Sequence, residues 1–348
     1  MADMSAGPLA AENFSKGPIV VAGAGSVGCF VGGVLQAAGK EVIFLGRQRL
    51  AGQIASHGMR LTDFAALDAT LPADAVRYET DPATALQDSA LILVAVKSGA
   101  TQEMAQLIAA HAPQNAVIIS LQNGVGNAGI LRAALPGRRV LAGMVPYNIV
   151  QMGEGRFHRG TGGALTIEAG VDGLTTYLTA PGLTVAEERD IEGILWGKLL
   201  INLNNALNAL SGLKLKDQFE TWEWRRILAD QMSEALAALK TAGVTPKAAL
   251  PIAPEKFPTL LRLPNFIFRI VARRMTTIDP EARSSMWEDL DQRRMTEIGE
   301  LQGAVVQLAN ANGLKAPLNA RVASLIRQAE AAKNGSPKLT PKDVRGAP

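Results

Sequence analysis

The sequence predicts an α/β domain followed by an all-α domain. Three observations carry that expectation. Short Val-, Ile- and Leu-rich runs alternate with longer mixed stretches as far as Ala186, a glycine-rich turn joins the first run to the first helix, and after Glu187 the texture changes to Ala, Leu, Ile, Arg and Glu at helical spacing. At 348 residues the chain exceeds the roughly 250 at which a single core commonly stops growing. An α/β domain is expected at 17–186 and a helical domain at 187–333, flanked by flexible tails at 1–16 and 334–348. The first tail has one basic side chain and no apolar block, unlike a signal peptide, and the second is rich in Gly and Pro.

The runs 18–22, 41–45, 91–96, 116–121 and 140–145 are bounded by Gly, Pro, Asn or a charge, as expected of parallel strands covered on both faces. Residues 59–62, 76–80 and 164–168 read as edge or antiparallel additions. In the second half, 192–213 reads as one buried helix. Asp279 and Pro280 open a second helix that runs through a capping box at Ser285 and Glu288 to Leu308, with Asn312 and Gly313 as its stop.

Composition narrows the function. No segment reaches the ~18 to 20 uninterrupted apolar residues of a membrane span, so a soluble, cytoplasmic protein with no membrane partner is expected. Thirty-five Lys plus Arg against 32 Asp plus Glu leave +3, too little to collect nucleic acid without a shaped site. The single cysteine, Cys29, excludes an internal disulfide and any multi-cysteine metal site, and His57, His111 and His158 are too dispersed for a local ligand motif. No metal is expected, and the partner is a small molecule. The sequence does not fix oligomeric state, and a homodimer is compatible with it.

The first strand runs into Gly23, Ala24, Gly25, Ser26, Val27 and Gly28, and a small, apolar helix follows. This is G-x-G-x-x-G in the strand–turn–helix setting that its chemistry requires. The first glycine permits the tight turn, the second lets backbone N–H groups approach a pyrophosphate, and the third lets helix and strand touch. After the second strand an NAD site usually offers a carboxylate to the ribose, but here Leu45, Gly46, Arg47, Gln48 and Arg49 offer none. A guanidinium there would pair with a 2′-phosphate, so Arg47, supported by Arg49, points to NADP. A second reading leaves both arginines in a solvated loop.

In the helix at 192–213, Lys198, Asn202 and Asn205 stand at i, i+4 and i+7 and line one face. Asparagines at 202, 204, 205 and 208 are poor helix formers, a local conflict of the kind that marks a site. Reduction of a ketone needs a positioned acid for the oxygen, and a lysine whose pKa of ~10.4 is lowered by burial can serve. Alternatively, Lys198 snorkels from a surface helix. Ser285, Asp289, Arg293 and Glu297 follow at i+4 intervals, so Glu297 could meet the lysine or a substrate hydroxyl; the other reading is a cap and an ordinary surface pair.

Together these segments resemble the ketopantoate reductase (2-dehydropantoate 2-reductase) family, from about Pro18 to about Ala329. The matching pieces are the glycine turn, Val96-Lys97, Leu121-Gln122-Asn123-Gly124-Val125-Gly126, Trp196-Gly197-Lys198-Leu199 with Asn202, Ser284-Ser285-Met286 and Thr296-Glu297-Ile298. The resemblance implies an N-terminal Rossmann domain, a helical domain like the C-terminal domain of 6-phosphogluconate dehydrogenase, and an active site in the cleft between them. It implies Lys198 as general acid and Glu297 as the carboxylate organising it. Asn123 is implied near nicotinamide and substrate, Lys97 near the cofactor ribose, Ser285 at the substrate carboxylate and Asn202 at a substrate hydroxyl. The implied reaction is NADPH-dependent reduction of a 2-oxo acid, ketopantoate to pantoate in pantothenate biosynthesis.

Two positions depart from the family pattern. A further asparagine is common four residues beyond Asn202 and another before the Ser-Ser pair, where this chain has Ala206 and Ala282. Loss of groups that hydrogen-bond a substrate hydroxyl shifts specificity, although Asn205 could replace the first. Competing expectations are a reductase of a different 2-oxo acid, a β-hydroxyacid or polyol-phosphate dehydrogenase, and a non-catalytic NADP-binding redox sensor. The sensor would use Arg262, Arg269, Arg273 and Arg274 toward a partner. That stretch also reads as an amphipathic helix covering the core or, less well, touching a membrane surface.

Overall fold

The structure is a computed structural model that describes residues 14–248, 252–273 and 282–346. The chain divides into two compact units, 1–191 and 192–348.

In the first unit the strands are β1 (Ile19–Ala22), β2 (Val42–Leu45), β3 (Met59–Asp63), β4 (Asp68–Leu71), β5 (Arg77–Glu79), β6 (Leu91–Val94), β7 (Val117–Ser120), β8 (Val140–Met144), β9 (Ile149–Gly153), β10 (Arg156–Arg159), β11 (Leu165–Glu168) and β12 (Val185–Glu188). Its helices are α1 (Ser26–Ala37), α2 (Gln48–His57), α3 (Pro82–Leu86), α4 (Thr101–His111), α5 (Asn127–Ala134) and α6 (Leu174–Leu178). Eight strands form one sheet in the order β12-β11-β8-β7-β6-β1-β2-β5, parallel except where β11 runs antiparallel to β8. The chain leaves β1 on one side for β2 and returns on the other for β6, so strand order reverses at β1. In open α/β sheets, ligands bind beyond the strand ends at such a reversal.

Residues of the central strands are buried on both faces, which is why they read as continuous apolar runs. Val21, Phe44, Leu93 and Ile119 pack with Phe30, Val31 and Val34 of α1, while Val20, Ile43, Ile92 and Ile118 pack with Met104 and Ile108 of α4 and Leu131 of α5. Of the three shorter runs, the structure makes β5 a parallel edge strand and β11 an antiparallel addition. β3 joins a separate sheet, β4-β3-β10-β9, over α1, where Leu61 lies against Gly33. Strands β4, β9 and β10 escape the sequence reading because their outer face mixes polar Asp68, Arg156 and His158 with the exposed apolar Val150 and Met152, which blurs the alternation.

In the second unit the helices are α7 (Ile191–Asn202, whose first residue closes the first unit), α8 (Asn204–Ser211), α9 (Leu215–Glu220), α10 (Trp222–Thr241), α11 (Phe257–Leu261), α12 (Asn265–Arg273), α13 (Ser285–Asp291), α14 (Gln302–Ala311), α15 (Pro317–Ala332) and α16 (Pro341–Arg345). No strand occurs there among the described residues. No described helix is long and apolar enough to cross a membrane. α12 turns Phe268 inward onto the guanidinium of Arg225 and leaves Phe266 and Ile270 exposed. Arg262 pairs with Asp230, Arg269 with Glu220, and Arg274 lies outside the described residues.

Four expectations are corrected here. The helix expected from Asp279 to Leu308 is two helices, α13 and α14. Arg293 adopts a φ of 55°, and the Arg294 N–H closes back on the Asp289 carbonyl at 2.7 Å, ending α13 without a Gly or Pro signal. The start at Asp279 and Pro280 lies outside the described residues, and the N-cap is Ser284, not Ser285: its Oγ accepts from Trp287 N at 3.1 Å. The helix expected over 192–213 is interrupted at Leu203, whose carbonyl accepts from Gln302 Nε2 at 2.9 Å. The tail expected to be flexible at 334–348 is instead folded as far as it is described, because α16 buries Val344 and begins with a full capping box between Thr340 and Asp343. The expectation for 1–13 lies outside the described residues, and Phe14 is buried edge-on against Tyr177.

Candidate functional site

The glycine turn leaves the carboxyl end of β1 in the first unit. The N–H groups of Gly23 and Ala24 donate to the Leu45 carbonyl at 3.0 and 2.9 Å, fixing the turn to β2. Gly23 has a φ of 107°, and a Cβ there would lie 2.5 Å from the Val96 backbone nitrogen, so no other residue fits. A Cβ on Gly28 would lie 2.5 Å from the Gly23 carbonyl, which is the close helix–strand approach that the third glycine allows. Gly25 differs from both. A Cβ there would meet nothing within 4 Å, and Gly25 caps α1 with no side-chain acceptor. The first turn of α1, with no acidic residue, therefore presents Ser26, Val27 and its backbone donors to open space, the arrangement a pyrophosphate requires.

Arg47 follows Gly46 at the end of β2 and is exposed at the N-cap of α2, with Arg49 two residues on in the first turn. Gly46 fits between Ala24 and the Tyr78 hydroxyl, which donates to the Arg47 carbonyl at 3.4 Å. Lys97 is exposed after β6 and Asn123 half-buried after β7. Sequence reasoning missed what joins these two loops. Asn127 Nδ2 donates to the Asn123 carbonyl at 2.6 Å and to Ser98 Oγ at 3.0 Å. Gln122 Nε2 donates to Thr101 Oγ1 at 2.7 Å and to the Val96 carbonyl at 3.1 Å. All four side chains are buried, so the network holds the Lys97 and Asn123 loops as one body. Its signal lay in polar residues placed just beyond two apolar strands. Cys29 is fully buried in α1 and burial pushes its thiol up, so it is an inert filler.

The second unit holds the other candidate residues. Lys198 is half-buried on α7 next to Gly197, where a Cβ would collide with the Lys247 carbonyl; the glycine lets the 244–248 segment cross the helix. Burial pulls the Lys198 ammonium down to about 8, and the Glu297 carboxylate works against that fall. The structure thus brings Lys198 and Glu297 together although they are on separate elements. Asn202 and Asn205 are half-buried, whereas Asn204 and Asn208 are buried and committed to structure. Asn208 Nδ2 donates to the Leu213 carbonyl and to Gln218 Oε1, both at 2.9 Å, and Gln218 Nε2 donates to Asn204 Oδ1 at 2.9 Å. Ser285 is exposed in the first turn of α13, which is pinned to α8 by Ser284: its Oγ donates to the Asn205 carbonyl at 3.0 Å and its N–H to Asn208 Oδ1 at 2.9 Å. Ala206 is fully buried, and the Ala282 carbonyl accepts from Leu215 N at 2.9 Å. No group of His, Cys, Asp and Glu fit to hold a metal occurs among the described residues.

Comparison with known proteins shows the family of the chain. The family model described as ketopantoate reductase PanE/ApbA matches residues 19–171, and its C-terminal counterpart matches 190–330. A 2-dehydropantoate 2-reductase of Halobacterium salinarum is 27% identical over 321 residues, covering 90% of this chain and 98% of that protein. The crystal structure of a PanE/ApbA family ketopantoate reductase from Ralstonia eutropha superposes with a TM-score of 0.77 at 29% identity, covering 91% of this chain and 99% of that one. A ternary structure of D-mandelate dehydrogenase with NADH and anilino(oxo)acetate superposes with a TM-score of 0.74 at 20% identity, covering 91% and 99%, and shows the same fold.

Proposed function

The chain belongs to the ketopantoate reductase family, oxidoreductases acting on a CH–OH group, and from that premise we propose that it reduces a 2-oxo acid to the 2-hydroxy acid with NADPH, ketopantoate being the first candidate. The observation that carries the reading is the half-buried Lys198 beside Glu297, an ammonium whose pKa of about 8 suits it to give up a proton near neutrality.

The residues fit the dinucleotide: the open space at Gly25, the uncapped start of α1 and the carboxylate-free loop at Arg47 suit a pyrophosphate and a 2′-phosphate. When bound, the reduced nicotinamide supplies the hydride. Lys198 hands its proton to the keto oxygen as the carbonyl carbon accepts that hydride, so the product is a neutral alcohol and the lysine is left as an amine. Solvent then reprotonates it. Glu297 keeps the ammonium charged until the transfer and orients it. Ser285 and Asn202 bind the substrate carboxylate and a substrate hydroxyl, Asn123 holds substrate beside the nicotinamide, and Lys97 contacts the ribose.

A second reading, reduction of a different 2-oxo acid, is favoured by Ala206, which is fully buried and offers no hydroxyl partner where the family pattern has an asparagine. One assay tests both. Absorbance is followed with ketopantoate and with 2-oxo acids lacking the hydroxymethyl group, using NADPH and NADH and the wild-type and Arg47→Ala proteins. Ketopantoate as the best substrate supports the first reading, a better apolar acid the second, and no turnover with any acid defeats both. Arg47→Ala is expected to weaken NADPH by about tenfold or more while leaving NADH nearly unchanged, as loss of a charge-assisted phosphate contact requires.

A further inference from the structure

Glu297 lies on no helix. The segment 292–301 between α13 and α14 is irregular, so anchors on the backbone around Glu297 help to set where its carboxylate lies. On the amino-terminal side, Arg294 donates from Nε to the buried Asp289 carboxylate at 2.9 Å. On the other side Ile298 and Leu301 are buried, and Gln302 reaches the Leu203 carbonyl at the α7–α8 break. The closest anchor comes from elsewhere in the chain. The Thr296 N–H, immediately before Glu297, donates to Glu330 Oε1 on α15 at 2.7 Å.

We infer that Glu330 is a positioning residue for the Lys198–Glu297 pair: by holding the Thr296 amide from a separate helix, it sets where the Glu297 carboxylate meets the ammonium. The kinetic part of the test rests on the reductase reading above; the spectroscopic part does not. Of the neighbouring charges among the described residues, Glu297 and Glu330 both act on Glu300, and Arg294 of the same segment pairs with Asp289. Glu300 is half-buried, and burial together with the Glu297 and Glu330 anions pushes its carboxyl up. A third carboxylate is electrostatically unfavourable in such a cluster, and a neutral acceptor would satisfy the Thr296 amide equally well. Retaining the amide's acceptor therefore matters more than retaining the charge, and two substitutions separate them.

Glu330→Gln keeps an acceptor oxygen, whereas Glu330→Ala removes it. Glu330→Ala is expected to lower kcat for 2-oxo acid reduction by about tenfold with dinucleotide affinity unchanged, as expected for a misplaced catalytic pair. It should also move the alkaline limb of the pH profile to lower pH, because Glu297 no longer supports the Lys198 charge. Glu330→Gln should restore both. Independently, NMR titration of labelled lysine, with the Lys198 signal assigned by its loss in Lys198→Arg, should show a lowered Lys198 pKa in Glu330→Ala and the wild-type value in Glu330→Gln. Equal losses in both variants that track thermal stability, or an unmoved Lys198 titration in Glu330→Ala, would overturn the role. If wild-type protein reduces no 2-oxo acid, the titration still decides the matter for Glu330, so the two failures are distinguishable.

Discussion

Single side chains divide here into those that shape the fold and those that face a ligand, and glycine shows the difference most directly. Gly25 and Gly28 belong to one motif, yet a Cβ on Gly28 strikes the Gly23 carbonyl while a Cβ on Gly25 enters open space from an extended backbone that any residue adopts. Gly25→Val should therefore fold with an unchanged thermal midpoint and lose dinucleotide binding, whereas Gly28→Val should lose stability first. Calorimetry and NADPH fluorescence titration report the two effects separately, and intact binding in Gly25→Val would show that the pyrophosphate does not lie there. Lys198 sets a second prediction. On the proposed reading its ammonium form is the acid, so activity should be full below about pH 8 and fall above it. Stability has the opposite sign: between about 8 and 10.5 the unfolded chain binds the proton that the folded chain has released, so folding is favoured as pH rises through that window. Because Glu297 raises the Lys198 pKa, Glu297→Gln should move the activity limb to lower pH. Lys198→Ala should lose turnover by orders of magnitude with NADPH binding intact; pH–rate profiles check the three activity statements, unfolding measured against pH checks the stability sign, and NADPH titration checks the binding.

At the scale of elements, the loops after β6 and β7 are one body, held by the buried network of Ser98, Thr101, Gln122 and Asn127. Thr101→Val keeps the shape but removes the acceptor of one Gln122 amide hydrogen and the hydroxyl that bonds Asn127 Oδ1, a loss of about 1–3 kcal/mol. The expected result is a thermal midpoint lower by a few degrees together with a raised KM for the 2-oxo acid, since Asn123 loses its support; wild-type kinetics at the lower midpoint would confine the network to stability. Elements buried on both faces were legible in the sequence because nothing polar interrupts them, as in β1 and β6. The Gly23 to Gly28 turn was legible because its chemistry is local. The accessory sheet was not, since strands such as β10 alternate Arg and His with Phe. Nor was the break between α13 and α14, where the apolar period continues unaltered and a left-handed Arg293 ends the helix. Four asparagines marked α7 and α8 as unusual. Only tertiary partners distant in sequence, Gln218 and Ser284, show that Asn204 and Asn208 serve packing while Asn202 and Asn205 remain half-buried candidates.

For the whole molecule, the separation of chemistry between two units makes stability and cofactor binding independently testable. The glycine turn proposed as the phosphate cradle lies entirely within residues 1–191, and Lys198 and Glu297 both lie within 192–348. The carboxy-terminal segment belongs to the second unit. Leu339 N donates to the Leu210 carbonyl at 2.8 Å, Arg321 Nε to the Val344 carbonyl at 2.6 Å, and Arg345 pairs with Asp230 at 2.6 Å, so the segment joins α8, α15 and α10. The exposed ion pair adds little, whereas burying the Val344 side chain is worth about 1.5–3 kcal/mol and each hydrogen bond about 1 kcal/mol more. Deleting 334–348 should therefore destabilise the helical unit by roughly 3–5 kcal/mol. NADPH affinity should survive, because no residue of the cradle is touched. The same reasoning makes Val344→Asp nearly as damaging as the deletion, since it buries a charge at a site with no exposure. Urea unfolding followed by tryptophan fluorescence reads the second unit alone: Trp196, Trp222, Trp224 and Trp287 all lie beyond residue 191. An unchanged urea midpoint in the truncated chain would show that the segment merely rests on the surface.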